Sequence, residues 1–181
     1  MAVLLRISAF IDTINDRIGK VVLWLILLSV LVSSGNAVIR KVFGVSSNAW
    51  LEAQSYMFSM VFLLMGGYAL LYDRHVRVDL LYTRYSPRTR AILNLVGSLF
   101  FLLPTAFCIV YFSWPQLIES YHIREMSPDA GGLPRWPIKL MIPVGFALLM
   151  LQALSEAIKN AAFLAGKYQF KQDEEEEAVV A

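Results

Sequence analysis

Hydrophobic residues in this chain come in long blocks, not in alternation, and short charged clusters separate the blocks. Alternation would mark half-buried strands. Unbroken apolar runs of this length mark helices that meet lipid. Four blocks qualify, at about residues 21–39, 51–72, 91–113 and 137–155. At ~1.5 Å per residue each approaches or exceeds the ~30 Å thickness of a bilayer's hydrocarbon core. The pattern predicts an all-α integral membrane protein with four transmembrane helices.

Ahead of the first block the pattern changes. Leu4, Ile7, Phe10, Ile11, Ile14, Ile18 and Val21 recur at helical spacing, and Arg6, Asp12, Asn15, Asp16 and Arg17 fall mostly on the other side. This predicts an N-terminal amphipathic interfacial helix, lying on the membrane surface before the chain turns inward. The competing reading makes it an extension of the first span into water. That span has Trp24 near its start, a polar stripe of Ser29, Ser33 and Asn36, and Arg40-Lys41 at its close. A cleaved signal peptide ending near Ala37 fits less well, because the charged leader is long and the cleavage pattern poor.

The second block organises the rest. It is uncharged from Ala53 to Tyr72, and Glu52, Ser59, Gly66 and Asp73 recur at every seventh position around it. A seven-residue step nearly returns to the same helix face. One side of this span is therefore small at its middle and acidic at both ends, a surface that a neighbouring helix can approach closely. His75, Arg77 and Asp79 follow directly and extend the polar end of that surface. Leu80, Leu81, Tyr82 and Tyr85 then read as a short helix on the headgroups. Ser86-Pro87 reads as an N-cap with proline at the first helical position of the third span.

Pro104 in the middle of the third span predicts a kink. Residues 114–137 read as the longest non-spanning loop, with Trp114, Tyr121 and Trp136 as interfacial aromatics. The fourth span starts near Trp136-Pro137 and carries Pro143 and Gly145 in its first half. Residues 1–172 form the membrane domain, and residues 173–181 a solvated, disordered acidic tail.

Composition agrees with this picture: 57% of the 181 residues are hydrophobic and only 17% are charged, which sets the chain apart from soluble domains. The lone cysteine, Cys108, lies in an apolar run and excludes an internal disulfide. Orientation follows from the basic residues. Eleven lysines and arginines fall on the side of the termini and of the loop between spans two and three, against five in the other two loops. Both termini are expected in the cytoplasm.

Catalytic chemistry is missing. The two histidines, His75 and His122, lie outside the spans, which argues against axial haem ligation. There is no HExxH and no glycine-rich phosphate loop, and nothing points to a cofactor, a metal or nucleic acid. The spans are nearly empty of charge. Glu52 and Glu156 stand at the ends, where pairing with headgroups, water or neighbouring helices fits better than a proton relay. Four spans without an ionisable centre read as a subunit that supports a transporter, not as a transporter complete in itself.

The ordered motifs carry a resemblance. W-L-E-A-Q-x-Y at residues 50–56, D-R-H-V-R-V-D-L-L-Y at 73–82, Pro-Arg-x-Arg at 87–90 and L-P-R-W-P-I-K-L-x-I-P-x-G-F at 133–146 resemble the small membrane subunit of tripartite ATP-independent periplasmic (TRAP) transporters. The resemblance covers residues 12–156. It implies a four-helix scaffold beside a large membrane subunit that holds the substrate and sodium sites. It also implies a periplasmic solute-binding protein that delivers an organic acid. Glu52, Ser59, Gly66 and Asp73 are the candidate interface, against a helix of this chain or of the large subunit, and His75, Arg77 and Asp79 add a polar contact on the cytoplasmic side. The acidic tail is not a feature of that family. The alternative is a membrane anchor or assembly subunit of another multi-subunit inner-membrane complex.

Overall fold

The computed structural model of the chain describes residues 1–45, 47–73 and 85–168. His75, Arg77 and Asp79, most of the expected headgroup helix (residues 80–84), and the acidic tail lie outside the described residues. Four helices make up nearly all of the rest: α1 (Ala2–Phe43), α2 (Asn48–Leu71), α3 (Pro87–His122) and α4 (Trp136–Leu164). All four are long and apolar enough to cross a membrane. Among the described residues no strand forms, only an isolated bridge between Met126 and Pro134.

The helices pack as an up-and-down bundle. Asp16 meets Tyr72 while Gly19 meets Tyr68, so α1 and α2 are antiparallel. Leu63 meets Gly145 and Gly67 meets Leu148, so α2 and α4 are parallel. α4 is the central helix and packs against each of the other three.

Most buried positions are small or polar, including Ser8, Asn15, Ala106, Gly145, Ala153 and Ser155, while Phe62, Phe100, Phe101 and Phe112 are exposed on the outside. Lipid tails are as apolar as leucine, so nothing drives large apolar side chains inward, and close backbone approach holds the helices together. Gly145 shows how close. A Cβ there would stand 2.5 Å from the Leu63 carbonyl oxygen, so only glycine lets α2 and α4 meet.

The expected turn between the N-terminal segment and the first span does not occur, and α1 runs unbroken for 42 residues. No proline interrupts residues 15–24, and the ring of Tyr68 packs over the one glycine there, Gly19, and holds it helical. The amphipathic segment and the span are one helix, whose inner stripe is Ser8, Ile11, Asn15, Gly19 and Val22.

Ser86 caps α3 as its sequence promised: its hydroxyl accepts the Thr89 N–H at 3.3 Å, with Pro87 in the first turn. Pro104 is accommodated by a wide π turn at Gly97–Leu102, where the Leu103 N–H reaches back to the Ser98 carbonyl. That turn opens the ladder where the proline ring would crowd the preceding carbonyl. α3 also stays helical through Pro115 to His122, because Leu117 and Ser120 are buried against α4. The loop expected over residues 114–137 is thereby reduced to residues 123–135.

Candidate functional site

Two polar centres stand at opposite ends of the bundle. The first is built on the start of α2. Asn48, Glu52 and Tyr56 follow one another at intervals of four residues and share one face. Each grips the α3–α4 loop. Asn48 Nδ2 donates to the Ala130 carbonyl at 3.0 Å, and the Tyr56 hydroxyl donates to the Pro134 carbonyl at 3.2 Å. Between them, Glu52 Oε2 accepts the Leu133 N–H at 2.6 Å and Oε1 accepts the Ser127 hydroxyl.

The loop also closes on itself. Ser127 N–H donates to Leu133 O at 3.0 Å and Arg135 N–H to Glu125 O at 2.9 Å. Glu125 pairs with Lys139 in the first turn of α4, and that ammonium holds its carboxyl below the usual carboxylate range. The W-L-E-A-Q-x-Y and L-P-R-W-P stretches, distant in sequence, meet here.

The second centre joins α1 to α4 at the end bearing the N terminus. Asp12 Oδ1 accepts from Ser155 Oγ at 2.6 Å and from Gln152 Nε2 at 2.8 Å. Lys159 Nζ lies 3.2 Å from Asp12 Oδ2 and 2.5 Å from Glu156 Oε1. Asn15 Nδ2 donates to Gln152 Oε1 at 2.9 Å, and Ser8 and Ser155 share a hydroxyl contact at 2.7 Å. Gln152, Ser155, Asn15, Ser8 and Asn160 are almost fully buried. Polar side chains removed from water need partners, and this network supplies them for all but Asn15 Oδ1, which has none among the described residues.

Sequence reading missed this second centre. Its signal was present: Gln152, Ser155, Glu156, Lys159 and Asn160 trace one face of α4, and Ser8, Asp12 and Asn15 one face of α1. Glu156 was expected to pair with headgroups, water or neighbouring helices, and its partners are Lys159 and Gln152 on its own helix.

The residues singled out on α2 are placed as follows. Glu52 serves the loop clamp. Ser59 Oγ donates to Ser55 O at 2.9 Å within its own helix. Gly66 faces Leu149 of α4, whose Cδ1 lies 3.9 Å from where a Cβ would stand, an ordinary van der Waals distance. Asp73, just past the helix end, adopts a positive φ of 53°. Glu52 and Asp73 stand at opposite ends of the helix. Among the described residues no three histidine, cysteine, aspartate or glutamate side chains gather as a metal site would require.

The fold and these two centres define a multi-pass membrane bundle whose polar chemistry ties the chain to itself. Comparison with known proteins gives the class a family. The family described as "Tripartite ATP-independent periplasmic transporters, DctQ component" matches residues 29–163. The ectoine TRAP transporter small permease protein TeaB of Halomonas elongata is 30% identical over 151 residues, 83% of this chain and 77% of the relative. No solved structure gives a significant match. The chain belongs to the DctQ family and is a TRAP transporter small permease subunit, a multi-pass protein of the inner membrane.

Proposed function

We propose that the chain is the accessory scaffold of a sodium-coupled importer of an organic acid. It works beside a large permease subunit that holds the substrate and ion sites, and a periplasmic solute-binding protein delivers the cargo. One observation carries this reading. Between Lys20 and Arg40 on α1, Glu52 and Asp73 on α2, Arg90 and Glu119 on α3, and Lys139 and Glu156 on α4, the described helices contain no ionisable acid or base except tyrosine and Cys108. A site for a charged substrate or coupling ion within the bilayer needs such groups or unwound helices. Purified and reconstituted alone, the chain moves nothing; with its two partners it supports sodium-driven uptake. Uptake by the chain alone would overturn the reading. Ectoine, which names the relative, is the competing cargo, and the same assay separates it from organic acids.

The α2 face of Glu52, Ser59, Gly66 and Asp73, with His75, Arg77 and Asp79 beyond it, is the proposed contact with the large subunit. The acidic and small positions of this face on α2 and just past it, none of them buried, support the reading; at Gly66 itself the nearest neighbour is Leu149 of α4, in ordinary van der Waals range. In this reading both termini face the cytoplasm, the orientation that the lysine and arginine distribution favours. Cysteines at Arg88 and Ala130, in a Cys108→Ser background, test the topology. An impermeant reagent applied to intact spheroplasts labels Ala130→Cys and spares Arg88→Cys; the reverse pattern inverts the topology.

A further inference from the structure

Lys159 lies in the last two turns of α4, yet only 9% of its side chain is exposed. A lysine that close to a helix end ordinarily runs its stem outward and keeps its ammonium in water. Here the ammonium stays between Asp12 and Glu156, whose side chains are 25% and 17% exposed. Three charges held this far from water at the end of a helix call for a cover.

The chain just past α4 turns back toward them. Ala165, Gly166 and Lys167 are exposed, and Tyr168 is half-buried again. Two backbone bonds hold the reversal. The Gly166 N–H donates to Phe163 O at 2.9 Å, and the Lys167 N–H donates to Ala162 O at 2.9 Å. Gly166 takes a φ of 68°, the left-handed backbone that such a helix ending needs and that glycine adopts without strain. The turn therefore fixes where the next side chain goes. Burial pushes the Tyr168 hydroxyl above the usual tyrosine value, and the charges of Lys159, Asp12 and Glu156 all reach it. A phenol suits such a place, because its ring excludes water while its hydroxyl tolerates charge. Ion pairs kept from water attract more strongly than ion pairs in it.

We propose that residues 166–168 are a latch: the Tyr168 ring covers the Asp12, Glu156 and Lys159 side chains and so keeps α1 tied to α4. With the latch open, water competes for the three charges and α1 loosens. The test treats the full chain in nanodiscs with an acetylating amine reagent and follows each lysine by mass spectrometry. Lys159 is expected to react slowest in the wild type. Tyr168→Ala raises its rate about threefold or more, leaves Lys20 and Lys139 unchanged, and quickens amide exchange over residues 8–15. Tyr168→Phe keeps the ring and stays close to the wild type. Gly166→Ala meets no other atom within 4 Å and acts through the strained turn alone, so it falls between. Four results would overturn the proposal. They are an unchanged Lys159 rate in Tyr168→Ala, Tyr168→Phe as reactive as Tyr168→Ala, a rise shared equally by Lys20 and Lys139, or faster acetylation without faster exchange in α1. The last would leave a cover that locks nothing.

Discussion

Gly67 and Asn15 touch so closely that a Cβ on Gly67 would lie 2.2 Å from Asn15 Oδ1. One position earlier, at Gly66, the nearest atom is 3.9 Å away. Adjacent glycines thus do different work. Gly67 lets α1 and α2 meet, and Gly66 leaves Leu149 of α4 at ordinary van der Waals distance.

Gly67→Ala is accordingly expected to destabilise the isolated chain by ~1–3 kcal/mol, the usual cost of overpacking. Gly66→Ala is expected to be nearly silent. Thermal unfolding in detergent, with monodispersity as the check, compares the two. Gly66→Leu leaves the isolated chain folded but lowers its recovery with the large subunit if the proposed contact face is right. Equal stability of Gly67→Ala and wild type would show that α1 and α2 separate at little cost.

The loop clamp gives a second prediction. Glu52→Ala removes the acceptor for the Leu133 N–H and the Ser127 hydroxyl together. Amide exchange across residues 127–133 is expected to quicken while the helices stay protected. Glu52→Gln, which keeps one acceptor oxygen, falls between. Unchanged exchange in Glu52→Ala would mean that the loop's own hydrogen bonds suffice.

Lys159 holds two carboxylates with only 9% of its side chain exposed. Lys159→Met leaves Asp12 and Glu156 facing each other without a cation, expected to cost on the order of 3 kcal/mol. Adding Asp12→Asn and Glu156→Gln removes the stranded charges and recovers most of that loss. The melting temperatures of the single and triple variants decide the matter: a stable single variant, or a triple variant no better than the single, would reject the triad as a lock between α1 and α4.

Glu125 supplies a pH dependence. The Lys139 ammonium depresses its carboxyl below the ordinary 4.5. A folded-state value lower than the unfolded one adds stability above that ordinary value, and the gain disappears as pH falls through the depressed one. Loop protection, taken relative to the intrinsic exchange rate at each pH, should stay constant above pH 4.5 and fall only below it. In Glu125→Gln protection should be lower throughout and keep only the acid step of Glu52, whose carboxylate accepts the Leu133 N–H and the Ser127 hydroxyl. A wild-type step above the ordinary carboxylate range would contradict the pairing.

The four spans were legible because nothing but lipid tolerates apolar runs as long as the one from Ala53 to Tyr72. The Ser86-Pro87 start of α3 was legible for a local reason, since a cap depends on only a few neighbouring residues. The packing was not. A seven-residue period selects Gly66, yet the tight contact falls on Gly67, because helix phase against a neighbour is set by tertiary fit. The Asp12–Lys159 centre escaped for a related reason. Each half reads as an ordinary polar helix end, and only their meeting makes them an interior. Pro104 showed where to look for an irregularity without showing its form.

The π turn in α3 has a consequence for length. It holds one residue more than an α-helical repeat requires, so the two parts of α3 are set about 100° out of step. Deleting one residue there would leave both headings in place, whereas closing the turn to a regular α-helix at full length would rotate all that follows. Ala106, Leu117 and Ser120, now buried, would swing off α4 toward the surface. The turn acts as the helix's phase adjuster, letting the segment before Gly97 and the segment after Leu102 each keep its own heading.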